Sequence, residues 1–270
     1  MHTAIVTLAI GERYQRAWKM LCETRWRQYC AAHGYDLVVI EEPLDRSPRA
    51  AARSPSWQKC LILAPEVAGS YERVVWVDSD IVINPAAPAI ADGVPLEKVG
   101  AVDEHHYPSA ELRRRIVSDL AVAWRGVNDN LARNWESFLD PADWHAFAGL
   151  PRRGKHMVQA GVLVLSPKHH RELLELVYHG YEDKGGDALN YEMRPLSFEI
   201  QERGLEHWLD PRFNALIFMW ALYHERILRK PVKSPMDKIA LIKAQYERSY
   251  FLHFAARQDL MEFVRAAGIA

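Results

Sequence analysis

The chain has 270 residues, of which 49% are apolar and 26% are charged, so it is long enough and apolar enough to bury a sizeable core. Its formal net charge of −1 shows no basic excess and argues against a nucleic-acid partner. The cysteines, Cys22, Cys30 and Cys60, are odd in number and widely spaced; they form neither a disulfide framework nor a zinc pattern, and they favour a reduced, cytoplasmic compartment.

The elements predicted between the N-terminus and residue 80 alternate between strands and helices. The apolar N-terminal stretch is short and lacks a basic segment, so it predicts a core strand rather than a signal peptide. His33 and Gly34 are typical of a helix end. The alternation predicts a doubly wound, mainly parallel α/β sheet flanked by helices. The predicted strands cover residues 3–10, 35–40 and 73–78, and the predicted helices cover residues 13–33 and 56–68.

The rest of the chain continues the α/β pattern without a linker-like stretch, so residues 1–270 predict a single domain. Since no apolar segment approaches the ~20 residues that cross a bilayer, we expect no transmembrane segment, while a peripheral contact with a membrane is left open. Gly185 and Gly186 predict a break between two helices. The remaining predicted elements are strands at 99–102 and 158–165, helices at 168–182 and 191–203, a partly helical region at 108–150, and short apolar runs at 237–243 and 249–254.

Residues 74–80, Val-Val-Trp-Val-Asp-Ser-Asp, are the most informative stretch. The apolar run predicts a buried strand, and Asp78 and Asp80 follow at its carboxyl end, where open α/β sheets bind ligands. Carboxylates at i and i+2 of an extended chain lie on the same side, ~6.6 Å apart, which suits Mg²⁺ or Mn²⁺ and the charge of a phosphate leaving group. The alternative interpretation is an ordinary turn or helix cap.

The motif order along the chain resembles the nucleotide-sugar-dependent glycosyltransferases of the GT-A fold. The segments are most similar to the fungal-type galactosyl/mannosyl transferase family and, more distantly, to glycogenin-like transferases. The resemblance implies a GT-A-type, mixed but mainly parallel sheet flanked by helices, with residues 1–103 as the nucleotide-binding half and 104–270 as the acceptor and donor-sugar half. The matching segments are Tyr71–Ile81, Gln159–Ser166, Pro211–Asn214 and Phe251–Ala255.

The resemblance implies a metal site made by Asp78, Asp80 and His253. These residues would coordinate Mn²⁺ or Mg²⁺, and the diphosphate of the donor would complete the ligand shell. The alternative for His253 is a histidine packed in the core between Leu252 and Phe254.

The resemblance also implies a set of residues that contact the donor. The end of the first strand would contact the nucleoside, and Tyr14 would stack on the base unless it is an ordinary helix-packing residue. Lys59 would approach the donor phosphates unless it is a solvated helix lysine. A glycine inside a strand, such as Gly161, often marks the close approach of another group. The donor-binding residues implied are Thr7, Ala9, Tyr14, Lys59, Asp78, Ser79, Asp80 and Gly161.

Three residues are implied to act at the transferred sugar. Glu192 takes the position of an acid in glycogenin-like enzymes, although Met193 replaces the amide that follows it there. Glu192 and Gln159 would position the sugar. Asp103, at the end of a predicted strand, would bond a sugar hydroxyl; the alternative is a mobile polar loop, since His105 and His106 follow it. The alternative for Glu192 is a helix-surface acid.

The function that these expectations favour is transfer of a hexose from a UDP- or GDP-sugar to a hydroxyl acceptor, with retention at the anomeric carbon. A nucleotidyltransferase is an alternative, but Gly11, Glu12 and Arg13 make a poor version of the glycine- and basic-rich phosphate loop that it needs. A non-catalytic nucleotide-sugar-binding protein is the third interpretation.

Overall fold

The computed structural model describes residues 2–185 and 191–270, and its strands form two sheets flanked by helices. The strands at residues 73–77 and 158–165 are buried on both faces, as expected for the interior of an α/β protein. The strands are β1 (Thr3–Leu8), β2 (Asp36–Ile40), β3 (Arg73–Val77), β4 (Ile81–Ile83), β5 (Val99–Asp103), β6 (Val158–Leu165), β7 (Glu206–Trp208), β8 (Ala215–Leu216) and β9 (Phe251–His253).

Most of the helices follow a residue whose side chain accepts a hydrogen bond from a free backbone N–H group, or they start with proline. Ser109 and Asn128 cap two helices through their side chains, and Ser234 forms a capping box with Asp237. The α-helices are α1 (Glu12–Leu21), α2 (Glu23–His33), α3 (Pro48–Ala51), α4 (Pro65–Ala68), α5 (Ala110–Trp124), α6 (Asp129–Ser137), α7 (Pro141–Phe147), α8 (Pro167–Gly180), α9 (Met193–Glu202), α10 (Ile217–Leu222), α11 (Pro235–Tyr246) and α12 (Gln258–Met261). Pro55–Leu61, Glu104–His106 and Pro211–Asn214 form 3₁₀ helices, and Tyr223–Ile227 forms a π-helix.

The larger sheet has the strand order β2-β1-β3-β6-β5-β7. β1 pairs in parallel with β2 and β3, and β5 pairs in parallel with β7, while β6 runs antiparallel to both β3 and β5. The predicted mixed, mainly parallel sheet flanked by helices is therefore confirmed. Along β3, Val75 and Val77 pack on the face covered by α1 and α2, whereas Val74 and Trp76 pack on the face covered by α8 and α9, as the two-residue period of a strand requires.

Two features of strand pairing create the site. In the smaller sheet, of order β4-β9-β8, Ile81 lies opposite His253, so the residue before β4 meets the end of β9. In the larger sheet, the β5–β6 register shifts between Ala101, which faces Leu163, and Val102, which faces Gln159. The residues of β6 between those partners are therefore released from β5, and they lie beside the end of β3.

Several predicted boundaries are wrong. The helix predicted over residues 13–33 is broken at Cys22, whose φ is −123°, and the break lets Trp18 and Trp26 pack edge to face at 5.7 Å. The helix predicted over 56–68 is a 3₁₀ segment followed by α4, because Pro65 lacks an N–H and starts a new helix. The strand predicted over 73–78 ends at Val77, where the chain turns.

The predicted strands at 99–102 and 158–165 are confirmed, and the predicted helices at 168–182 and 191–203 correspond to α8 and α9. Of the predicted glycine break, Gly186 lies outside the described residues. Within residues 2–185 and 191–270, none of the helices combines the length and the apolar character needed to cross a bilayer.

Candidate active site

Asp78, Asp80 and His253 meet where the two sheets join. One ligand atom from each lies within 4.8 Å of the others. The Nε2 atom of His253 is 3.2 Å from Asp80 Oδ1 and 3.8 Å from Asp78 Oδ2. The backbone N–H of Phe254 donates to the carbonyl oxygen of Asp80 at 3.0 Å, which fixes the turn against β9. The fold therefore brings the three predicted metal ligands together.

The hydrogen bonds behind His253 determine which ring nitrogen faces the carboxylates. Gln159 Oε1 accepts from the backbone N–H of Gly161 at 2.6 Å and from Asn214 Nδ2 at 3.1 Å. The Oδ1 atom of Asn214 is left to accept from His253 Nδ1 at 2.8 Å. The neutral ring therefore carries its proton on Nδ1, and its Nε2 lone pair points at the carboxylates, buried and without a hydrogen-bond donor among the described residues.

Gly161 leaves room for this ring. A Cβ atom at Gly161 would lie 2.5 Å from Cε1 and 2.9 Å from Nδ1 of His253, closer than van der Waals contact allows. The sequence prediction of a close approach at Gly161 is confirmed, and the approaching group is the imidazole of His253. A contact between Gly161 and a donor stays a prediction.

Lys59 holds the Asp78 carboxylate through one of its two oxygens. Its Nζ atom lies 3.1 Å from Asp78 Oδ1, 2.9 Å from Glu192 Oε1 and 3.2 Å from the carbonyl oxygen of Ala160, which together use the three donors of an ammonium group. Trp76 Nε1 also donates to Asp78 Oδ1, at 2.9 Å. The Oδ2 atom of Asp78 is therefore the oxygen turned towards His253.

Lys59 and Glu192 are both buried, which excludes the alternatives of a solvated helix lysine and a helix-surface acid. Burial by itself would lower the pKa of Lys59, but Asp78 and Glu192 raise it above its usual value. Burial likewise opposes ionisation of Glu192, but the Lys59 ammonium lowers the pKa of Glu192. The two groups therefore form a buried ion pair. The approach of Lys59 to donor phosphates stays a prediction.

Asp80 and His253 perturb each other in the same sense. Burial disfavours both charged forms, yet the imidazole lowers the pKa of Asp80, and the carboxylates of Asp80 and Asp78 raise the pKa of His253. The two shifts have one cause, the attraction between the imidazole and the negative charge that the two carboxylates concentrate at Nε2, where a divalent cation would bind.

A cavity of about 330 Å³ opens beside the carboxylates. The Tyr14 side chain lies at this cavity and is 58% exposed, so Tyr14 is not an ordinary helix-packing residue. The sequence does not predict Gln258 and Glu262 at this site, because no motif marks them and α12 is remote from α1 in sequence. The cavity is lined by Arg13, Tyr14, Ala17, Leu21, Ser56, Lys59, Asp78, Ser79, Asp80, Gln258, Met261 and Glu262.

Thr7 and Ala9 lie at the end of β1 but are fully buried. The backbone N–H of Ala9 donates to the carbonyl oxygen of Ile40 at 2.9 Å. In the described part of the chain, neither residue lines this cavity. Their contact with a nucleoside stays a prediction.

Asp103 lies at the end of β5, as predicted, but outside the cluster formed with His253. Its Oδ1 atom accepts from two backbone N–H groups, and its Oδ2 atom lies against the rings of His106 and His156. The carboxylate is thus engaged by groups of the protein itself. A bond from Asp103 to a sugar hydroxyl stays a prediction.

The donor set of the first cluster fits a divalent cation. Two carboxylate oxygens and an imidazole lone pair converge on one point, which is repulsive unless a proton or a metal ion lies between them. Mn²⁺ accepts nitrogen as well as oxygen ligands, whereas Mg²⁺ prefers oxygen. The hydrogen bond from His253 to Asn214 is the kind of outer-shell support that metal-binding histidines have.

No protein-family model matches the chain, and no curated protein matches it. Among solved structures, a glycosyltransferase involved in the glycosylation of the major capsid of PBCV-1 superposes with a TM-score of 0.56 and 16% identity, over 97% of this chain and 99% of that one. At that identity the likeness establishes the fold alone, which is of the GT-A type with a mixed, mainly parallel sheet.

Looser likenesses include the galactosyltransferase LgtC, solved with donor and acceptor sugar analogs (TM-score 0.47, 14% identity, 98% of this chain and 95% of that one). Another is the glycosyltransferase GlyE of Streptococcus pneumoniae TIGR4 (TM-score 0.44, 12% identity, 98% of this chain and 60% of that one). These two add nothing to the assignment of the fold.

Proposed function

We propose that the protein is a metal-dependent glycosyltransferase that moves a hexose from a nucleotide-diphosphate sugar to a hydroxyl acceptor, with retention at the anomeric carbon. The observation that carries the proposal is the His253 Nε2 atom, which faces the carboxylates of Asp78 and Asp80 beside an open cavity. A protein with the same fold, from the PBCV-1 system, is a glycosyltransferase. The resemblance to the fungal-type galactosyl/mannosyl transferases is part of this proposal, because it rests on the order of sequence motifs alone.

Asp78, Asp80 and His253 would hold Mn²⁺ or Mg²⁺. When bound, the ion would act as a Lewis acid that neutralises the departing nucleoside diphosphate. Lys59 keeps one oxygen of Asp78 occupied, so that the other oxygen stays directed at the cation position. Tyr14 would stack on the base of the UDP or GDP moiety, since its exposed ring borders the cavity.

Glu192, Gln159 and Asp103 are proposed to position the transferred sugar. Glu192 is joined to the metal cluster through Lys59, and Gln159 acts through Asn214, which it fixes against His253. If Glu192 acts at the transition state, Glu192→Gln lowers turnover much more than donor affinity. Single-turnover transfer with a matched donor and acceptor measures this difference, and equal losses of both would remove Glu192 from the role.

Both predicted halves of the single domain contribute residues to the proposed site. Lys59, Asp78 and Asp80 belong to residues 1–103, whereas Gln159 and His253 belong to residues 104–270. Because the proposed donor and metal ligands come from both halves, the two halves must fold together for the site to form.

The test is to incubate the purified full chain with UDP- and GDP-hexoses in Mn²⁺ or Mg²⁺ and to follow release of the nucleoside diphosphate. A glycosyltransferase releases the nucleoside diphosphate slowly when water takes the hexose, and faster when an acceptor hydroxyl takes it. A nucleotidyltransferase would instead release pyrophosphate from a nucleoside triphosphate and a sugar phosphate. A binding protein would gain thermal stability from the nucleotide-sugar without turnover. Either of the last two results contradicts the proposal.

A further inference from the structure

Asp103, His106 and His156 form a second cluster of metal-ligating side chains. The Oδ2 atom of Asp103 lies 2.5 Å from His106 Nδ1 and 2.8 Å from His156 Nδ1. One ligand atom from each side chain lies within 4.8 Å of the other two. The residues come from the end of β5, the turn that follows it and the segment before β6, and the pairing of Asp103 with Val158 brings these segments together.

Backbone groups hold the Asp103 carboxylate independently of the two rings. Its Oδ1 atom accepts hydrogen bonds from the backbone N–H groups of His105 at 3.0 Å and Met157 at 3.1 Å. The side chain is only 10% exposed. A carboxylate fixed through one oxygen presents the other in a set direction, which is the outer-shell support that metal ligands have.

His156 is held as firmly as the carboxylate. The Gln201 side chain accepts from the backbone N–H of His156 at 3.1 Å and donates to its carbonyl oxygen at 2.9 Å. The ring of His156 packs against Trp208, with the ring centroids 4.6 Å apart. His106 is different, because it lies on a short 3₁₀ turn and its side chain is 56% exposed, so its ring has room to adjust.

The spacing must widen to accept an ion. In a tetrahedral site, metal–ligand bonds of ~2.0–2.2 Å place neighbouring ligand atoms ~3.3–3.6 Å apart. The distances from Asp103 Oδ2 to the two Nδ1 atoms, 2.5 and 2.8 Å, are hydrogen-bond lengths and are shorter by roughly 0.5–1 Å. The exposed His106 ring has room to make most of this movement, and a smaller shift between Asp103 and His156 supplies the rest.

We infer that Asp103, His106 and His156 bind a second divalent metal, and that Zn²⁺ is the ion that this cluster favours. Two imidazoles and one carboxylate form a softer donor set than the two carboxylates and one imidazole of the first cluster. Three protein ligands leave one position of a tetrahedral zinc ion for water or a hydroxyl-bearing ligand. The inference does not require glycosyltransferase activity; with zinc bound, a sugar hydroxyl would meet Asp103 only through the open position of the ion.

Zinc stoichiometry tests the inference in a background that weakens the first cluster. Metal-stripped full-length Asp80→Asn protein is dialysed against Zn²⁺, and the bound zinc per chain is measured by mass spectrometry. We expect one zinc per chain. Adding His106→Gln or His156→Gln lowers zinc affinity roughly tenfold or more, whereas adding His169→Gln, which replaces an exposed histidine of α8, leaves it unchanged.

His106 is exposed, so the His106→Gln variant keeps the experiment decisive even if His156→Gln fails to fold. Failure of the Asp80→Asn protein to retain zinc, or equal zinc affinity in the His106→Gln and His169→Gln variants, overturns the inference. Either result would identify the cluster as a hydrogen-bonded carboxylate–imidazole network that does not bind zinc.

Discussion

Asn214 accepts a 2.8 Å hydrogen bond from Nδ1 of His253, and that bond determines which nitrogen of the ring faces Asp78 and Asp80. The amide of Asn214 cannot turn over freely, because its nitrogen donates to Gln159. A residue that makes no contact with the carboxylates thus sets the chemistry of the site.

Asn214→Leu tests this relationship. The variant keeps the size of the side chain but removes the acceptor. The neutral His253 ring then no longer has its proton fixed on Nδ1 and its lone pair on Nε2. We expect Mn²⁺ affinity to fall roughly 10- to 100-fold, measured by calorimetry. Asn130→Leu, at an exposed position of α6, is the control and should bind Mn²⁺ as the unmodified protein does. Unchanged affinity in Asn214→Leu would show that the hydrogen bond has no part in metal binding.

Gly161→Ala should displace the His253 ring, because the new methyl group would lie 2.5 Å from Cε1. Gly100→Ala is a matched control, since its methyl group would lie 2.9 Å from Cβ of Val164, in the core and away from the metal ligands. Both variants should lose about 1–3 kcal/mol of stability from overpacking, but only Gly161→Ala should lose Mn²⁺ affinity. Chemical denaturation and calorimetry measure the two effects, and equal Mn²⁺ affinity in both variants would contradict the account.

Lys59→Met should destabilise the protein even without donor, because it leaves the carboxylates of Asp78 and Glu192 without their buried cation. The expected loss in the free energy of unfolding is about 3–5 kcal/mol, measured by urea denaturation at pH 7. The loss should be smaller in a Glu192→Gln background, where less charge is left unpaired. If Lys59 served only to bind donor phosphates, its removal would change the unfolding of the free protein little.

His170 should make stability depend on pH. The ring is fully buried and its Nδ1 accepts from the backbone N–H of Ser166 at 2.9 Å, and burial lowers the pKa of His170. Its contribution is fully present above the unfolded-state pKa of ~6.5, and it is lost progressively as the pH falls from that value through the lowered pKa of the folded state. His170→Asn, which keeps an acceptor that does not titrate, should flatten the decline in unfolding free energy between pH 7 and pH 5, whereas His169→Asn should not. Parallel curves for both variants would contradict this prediction.

The parts of the fold that could be predicted are those with a strong local pattern. The buried apolar runs of β3 and β6 stand out because both faces of each strand are covered. The break at Cys22 could not be predicted, since neither proline nor glycine marks it. The short strands β4, β7 and β8 could not be predicted either, because two or three residues carry no periodic signal.

The site residues likewise divide into those that a sequence pattern predicts and those whose contacts only the structure reveals. The position of Asp78 and Asp80 after a strand predicts their role, whereas His253 is predicted only through the order of motifs. Asn214 belongs to one of the matching segments, but its hydrogen bond to His253 depends on the parallel pairing of β8 with β9. His156 is distant from Asp103 in sequence, so only the pairing of β5 with β6 reveals their contact.

The most direct test of the metal site is calorimetric titration of UDP and GDP into the protein with Mn²⁺ or with a chelator, comparing Asp80→Asn with the unmodified chain. Asp80 is the better choice than Asp78, because Asp78 also pairs with Lys59. Asp92→Asn, at an exposed position, is the control. We predict that one of the nucleotides binds in the presence of Mn²⁺, that the chelator or Asp80→Asn abolishes binding while the circular dichroism spectrum is unchanged, and that Asp92→Asn binds normally. Equal nucleotide affinity in Mn²⁺ and in chelator, unaffected by Asp80→Asn, would contradict the account.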